Sequence, residues 1–176
     1  MLFTETTLAG AVVIDPERQE DQRGFFARSW CQEEFAAHGL PAKIAQCGIS
    51  YNARKGTLRG MHYQHAPHAE GKLVRCTAGA VYDVIVDLRR QSPTFRQWIA
   101  LELTAENRRM LYVPEGFAHG FETLTEHAEV FYQISEFYHP ESAAGVRWDD
   151  PAFGIRWPCP PAVISPRDGQ YEDFTA

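Results

Sequence analysis

The chain has 176 residues, 44% of them hydrophobic, with 17 basic and 23 acidic side chains and a formal net charge of −6. That length fits one domain spanning residues 1–176, and that apolar content at modest net charge excludes a mainly disordered chain. The acidic balance excludes a chain-wide basic footprint for nucleic acid, and no apolar run approaches the ~20 residues that span a bilayer.

The opening MLFTETTLAG has no basic stretch ahead of an apolar one, so no signal peptide is expected. Cys31, Cys47, Cys76 and Cys159 form no CxxC pair, which points away from zinc ribbons and thioredoxin-like sites. Reduced thiols and a cytoplasmic location are the expectation.

Phe3 to Asp15 ends in the apolar run Ala11–Ile14 before Asp15-Pro16, and reads as an early strand and turn. Asp21 to Phe26 reads as a turn entering an aromatic strand. Gln32 to His38 reads as one short helix closed by Gly39 and Pro41. Strands are then expected at Leu58–Gln64, Lys72–Thr77, Val81–Leu88, Trp98–Leu103, Arg109–Val113, Phe121–Leu124 and Val130–Ser135. Short strands at regular intervals with turn signals between them indicate an all-β sandwich or barrel. Beyond Tyr138 the chain is rich in Pro, Trp and Asp, and irregular structure with one short helix is expected there.

Strand side chains alternate between faces. His62 on the first of these seven strands, Lys72 on the second and Tyr132 on the last each have apolar or small neighbours on their own face. If those faces point into one barrel, three polar groups converge in an apolar pocket, the usual make-up of a small-molecule site.

Two chemistries compete for these residues. His62, His65, His68, Glu70 and His119 could form a metal cluster, since imidazole and carboxylate suit zinc, iron or manganese. Pro114-Glu115-Gly116-Phe117-Ala118-His119 resembles the PxGxxH second motif of cupin barrels. The first cupin motif, however, requires HxH, and the spacing here puts His62 and His65 on opposite strand faces unless a bulge intervenes.

The second chemistry is general acid–base transfer without metal or cofactor. His62 suits a base near neutral pH, Tyr132 can donate a proton, and Lys72 can stabilise developing negative charge. A carboxylate would orient His62, and alternation does not choose among Asp83, Asp87, Asp149, Asp150 and Asp168. Arg59 falls on the face opposite His62 in a regular strand. It therefore needs a bulge to join the site or else serves another part of it.

The chain as a whole resembles the dTDP-4-dehydrorhamnose 3,5-epimerase family. The matching stretches, in order, include Asp21 to Phe26, Leu58 to Gln64, Gly71 to Arg75, Tyr82 to Arg89, Ser92 to Phe95, Val113 to Phe121, Trp148 to Pro151 and Gly154 to Pro158. The resemblance implies a metal-free, cupin-type jelly-roll barrel with short peripheral helices. It also implies a homodimer acting on a nucleotide-linked 4-keto-6-deoxyhexose. By the same resemblance His62 is the base, Asp168 its carboxylate partner, Tyr132 the acid and Lys72 the group near the keto oxygen. Arg23, Gln46, Arg59, His119 and Arg167 match positions that hold substrate or order the site.

Departures fall at Arg28, at Cys47-Gly48, at Ala143, at Arg167 and at Gln133-Ile134-Ser135. They leave the reaction type better defined than the substrate or the number of centres inverted. Inversion at C3 alone is one alternative. Others are a metal-dependent cupin such as a dioxygenase or sugar isomerase, a 3,4-ketoisomerase on the same barrel, and a non-catalytic sugar-nucleotide binder.

Overall fold

A computed structural model describes residues 1–175. Its strands are β1 (Leu2–Glu5), β2 (Val12–Asp15), β3 (Gln19–Asp21), β4 (Gly24–Phe26), β5 (Gln46–Asn52), β6 (Thr57–Gln64) and β7 (Lys72–Ala78). They continue with β8 (Ala80–Asp87), β9 (Trp98–Thr104), β10 (Met110–Val113), β11 (Phe117–Thr123), β12 (Ala128–Ile134), β13 (Ala143–Gly145) and β14 (Val163–Ile164). Two short helices accompany them, α1 (Gln32–Ala37) and α2 (Pro166–Gly169).

One six-stranded sheet runs β1-β2-β10-β7-β12-β5. The other contains β13-β6-β11-β8-β9, with β14 added parallel to β6. β3 and β4 form a separate hairpin. This is the all-β, cupin-type jelly-roll architecture expected from the strand pattern and the resemblance.

Alternation along each strand explains why the two sheets close on each other. Val74, Cys76, Leu111, Val113 and Val130 of the first sheet meet Val81, Ile85, Leu103, Phe117 and Phe121 of the second in one buried core. The opposite faces are also covered. α1 seats Phe35 against Ile14, Leu73 and Met110 behind the first sheet. Behind the second sheet, Phe153 and Val146, with Trp157 and Phe174 packed alongside, cover Met61, Val84 and Val86. The Pro- and Trp-rich tail is thus the outer wall of a sheet whose far face is as apolar as its core face. No helix among the described residues is long and apolar enough to cross a membrane, and all four cysteines are free.

Three expectations need correction. β5 was not anticipated, because QCGISYN carries few strongly β-forming residues, yet it pairs with β12 along its whole length. β11 starts at Phe117 rather than Phe121. Ala118, His119 and Gly120 have weak strand propensity, but they pair with Val86, Ile85 and Val84. The tail also contributes two short strands, β13 and β14, both onto β6.

Asp87 closes β8 with a side chain that is 0% exposed. It accepts from Arg89 Nε at 2.9 Å, Arg89 Nη2 at 2.8 Å and Thr94 Oγ1 at 2.7 Å. Burial alone would raise this carboxyl. The Arg89, Ser92 and Thr94 donors outweigh it and bring the pKa down to about 2. A depressed folded pKa stabilises the fold above the unfolded value of about 3.9, and that contribution disappears as pH falls through the folded value. We therefore expect urea unfolding to show wild type more stable than Asp87→Asn by about 2 kcal/mol at pH 6, on the scale of 1.36 kcal/mol per pKa unit. The gap should close progressively between about pH 4 and pH 2.

Candidate active site

A pocket of about 320 Å³ opens at one end of the barrel, lined by Gln46, Arg59, His62, Gln64, Glu70, Lys72, His119, Tyr132, Tyr138, Ala143 and Arg167 among others. Each wall has a local cause. Lys72 begins β7 and faces inward with Val74 and Cys76, while Tyr132 faces inward with Val130 on the neighbouring β12. His62 on β6 stands opposite His119 on β11. Between that pair and the pair Phe121–Arg59, β6 advances three residues while β11 advances two. That extra residue is a bulge. It brings Arg59 to the same pocket as His62, which a regular strand would forbid.

Asp168 reaches His62 through the tail. β14 runs parallel to β6, and Ser165 then caps α2, its Oγ accepting from Asp168 N at 3.1 Å. Pro166 follows at the start of the helix. The Asp168 carboxylate is 2.7 Å from His62 Nε2 and accepts from Gly60 N at 3.2 Å. Burial opposes its ionisation, but the His62 hydrogen bond and charge, with the Gly60 N–H, hold the carboxyl below its ordinary range. An ionised Asp168 accepting the Nε2 proton leaves Nδ1 as the basic nitrogen of neutral His62.

The other polar groups are paired as well. Lys72 Nζ lies 2.9 Å from Glu70 Oε1, both side chains 10% exposed. His119 Nε2 lies 2.9 Å from Asp83 Oδ2 in the buried interior, and the His119 ring stands edge-on to Tyr132 at 6.1 Å. Enclosure in the barrel, and then the charge of Asp83, push the Tyr132 phenol far above its ordinary value, with Arg59 opposing. Tyr132 thus keeps its proton at neutral pH.

The five candidate carboxylates separate cleanly. Asp83 serves His119, Asp87 serves Arg89, Asp149 pairs with Arg147, Asp150 accepts from the backbone of Ala152 and Phe174, and Asp168 serves His62. Sequence reasoning overlooked Glu70 as the partner of Lys72 and Asp83 as the partner of His119. A charged residue two positions from Lys72 was the available signal for the first. For the second it was an aspartate in an otherwise apolar strand.

The proposed metal cluster is not assembled: His62, His119 and Glu70 each have their own partner, and His65 stacks edge-on against Tyr63. Arg23 is also outside the pocket. It sits on the β3–β4 hairpin with its side chain 90% exposed and pairs with Asp21.

Arg59 and Arg167 extend the site outward. Both line an adjoining depression of about 430 Å³, and Arg59 also borders one of about 280 Å³ beside Arg54 and Tyr51. A larger cavity of about 680 Å³ lies elsewhere, along Arg89, Arg90, Tyr171 and Phe174. Tyr63 and His65 line it, but among the described residues His65 has no carboxylate partner and no lysine joins them, so the smaller pocket is the candidate site.

Among the departures, Gly48 lies opposite Tyr132 across the β5–β12 ladder, and a Cβ there would meet no atom within 4 Å. Ala143 lines the pocket. Gly48 thus leaves open space beside Tyr132, and Ala143 leaves it at the pocket wall. Arg28 and Cys47 are exposed, with Arg28 paired to Glu34 at 2.7 Å.

The chain matches the family model described as dTDP-4-dehydrorhamnose 3,5-epimerase over residues 5–176. A curated relative of that name from Pseudomonas aeruginosa is 44% identical over 176 residues, covering 99% of this chain and 96% of its own. Among solved structures, the dTDP-4-dehydrorhamnose 3,5-epimerase from Bacillus anthracis, with TDP and PPi bound, superposes with a TM-score of 0.95 at 40% identity. The match covers 98% of this chain and 99% of that one. The Legionella pneumophila enzyme in complex with dTDP-4-keto-L-rhamnose superposes with a TM-score of 0.91 at 37% identity, covering 98% of this chain and 92% of the other.

Proposed function

Because the chain belongs to the dTDP-4-dehydrorhamnose 3,5-epimerase family, we propose that His62 and Tyr132 invert C3 and C5 of a dTDP-linked 4-keto-6-deoxyhexose by opposed proton transfers. The observation that carries this reading is the shared pocket: a carboxylate-oriented imidazole, a protonated phenol and a lysine converge on one apolar space.

The 4-keto group acidifies the protons on both adjacent carbons. His62 Nδ1 takes the proton from C5 or C3, and the C–H electron pair moves into the carbon–carbon bond while the carbonyl oxygen becomes an enolate. Lys72 Nζ, anchored by Glu70, stabilises that oxygen. Asp168 stabilises the imidazolium, as the carboxylate does in hydrolase triads. Tyr132 then returns a proton to the opposite face as the enolate collapses to the ketone. Solvent afterwards restores the proton on Tyr132 and removes the one on His62, so the cycle needs no redox partner and no metal.

His119, held by Asp83, packs edge-on against the Tyr132 ring and keeps it aimed. Arg59 and Arg167 at the outer end of the pocket suit the diphosphate through charge-assisted, bidentate bonds. Gln46 lines the sugar side. The family match over residues 5–176 supports treating the whole chain as one epimerase domain.

The working form is a homodimer. Phe25 and Phe26 on the β3–β4 hairpin are 41% and 67% exposed, and Ile49 and Tyr51 on the edge strand β5 are 65% and 54% exposed. A second copy would cover these apolar groups. Arg23, remote from the pocket of its own chain, then reaches substrate in the neighbouring copy.

Proton NMR of dTDP-4-keto-6-deoxyglucose incubated with the protein in D2O tests the reaction. Deuterium should enter at both C3 and C5. Entry at C3 alone would reduce the activity to 3-epimerisation, and a 3-keto product would make the chain a ketoisomerase.

A further inference from the structure

Outside the active site, two histidines and a glutamate from two loops come together. The potential ligand atoms of His68, His139 and Glu141 all lie within 4.8 Å of one another. His139 Nδ1 is 3.1 Å and His68 Nε2 4.0 Å from Glu141 Oε1. The two imidazoles stack with centroids 3.4 Å apart. None of the three has a part in the proton transfers above.

The backbone around them is held in place. Gln64, 3% exposed, donates to His68 O at 2.9 Å and Phe137 O at 3.1 Å, and accepts from His139 N at 2.7 Å. His65 N donates to Ser142 O at 2.9 Å, joining the same two loops. A single buried amide therefore fixes the separation of the two histidine-bearing segments. Glu141, whose side chain is 67% exposed, reaches the two rings from the surface.

We propose that His68, His139 and Glu141 bind one borderline divalent cation of the zinc class. Two imidazoles and a carboxylate favour zinc, nickel or copper over magnesium or calcium, which want oxygen donors. Bonds of about 2.0–2.2 Å around a tetrahedral ion place ligand atoms roughly 3.4 Å apart, close to the separations here. An imidazole lone pair lies in the ring plane, so rings stacked within 9° of parallel must splay to share an ion. His68 and His139 are 31% and 29% exposed, so both rings have room to rotate on the solvent side. Water completes the coordination on the exposed side.

The bound ion would join the loop that leads to Glu70 with the loop that carries Tyr138. Both of those residues line the active pocket. The ion would act as a clasp on the pocket rim, apart from the reacting groups.

The test uses the untagged full chain after chelator treatment. Co2+ is titrated with visible absorption as the readout, and Zn2+ by calorimetry. We expect one ion per chain, weakened at least about tenfold in His68→Asn and in His139→Asn, with His65→Asn binding like wild type. Thermal melts without metal check that all variants fold. Both ring-proton signals of His68 and His139 should shift together in NMR as Zn2+ is added. Binding that is not saturable at one ion per chain, or that survives unchanged in the two histidine variants, would overturn the site.

Discussion

His62→Asn should lower kcat by about 10²- to 10⁴-fold, the usual contribution of a positioned general base, while dTDP affinity stays near that of wild type. Asparagine is too short to replace Nε2 at Asp168, but the carboxylate keeps the Gly60 N–H, and a thermal melt beside wild type checks that the variant folds. The base itself is gone, so neither inversion nor deuterium uptake at C3 or C5 should survive. Steady-state kinetics beside calorimetric titration with dTDP separates the two quantities. A variant with normal turnover would remove His62 from the chemistry. A variant that loses dTDP binding and turnover in proportion would make His62 a binding residue.

Tyr132→Phe separates the two halves of the reaction. The change removes one oxygen from a ring already packed in the barrel, so folding should be little affected. His62 can still take a proton to form the enolate and return one to the same face. In D2O the variant should therefore label the substrate with retention of configuration, while inversion falls by a further ~10²–10⁴-fold. Product analysis by NMR distinguishes washout from epimerisation in one experiment. Undiminished inversion would show that another group, or water, protonates the far face.

The residues of the reacting pocket were legible to differing degrees, for physical reasons. Strand periodicity placed His62, Lys72 and Tyr132 on faces shared with apolar or small neighbours, and the fold shows that these faces point into one pocket. Strand spacing gave an all-β sandwich or barrel, the resemblance chose the barrel, and the order of strands followed from neither periodicity nor composition. Arg59 was the informative failure. Alternation put it opposite His62, and only the extra residue in β6 between the Arg59 and His62 pairs brings both to one pocket. A bulge leaves no composition signal beyond a glycine in the strand, here Gly60.

Asp168 could not be chosen by pattern from the five aspartates. Its place depends on a tail that lays β14 along β6 and turns at Ser165-Pro166, a pairing over a long sequence separation. Within the resemblance, its position matched the family's carboxylate. The pairings Lys72–Glu70 and His119–Asp83 were missed because they depend on side-chain reach across loops and neighbouring strands. β5 was missed because its stability comes from pairing with β12, not from propensity.

In the proposed reaction two different groups, on opposite faces of the sugar, remove and supply the proton. The most direct measurement converts dTDP-4-keto-6-deoxyglucose carrying deuterium at C3 and C5 in ordinary water, with the first turnovers analysed by NMR and mass spectrometry. Deuterium taken by His62 cannot reach the Tyr132 face, so each inverted centre should carry protium from the outset. Deuterium retained at an inverted centre would mean that one group serves both faces, and would contradict the account.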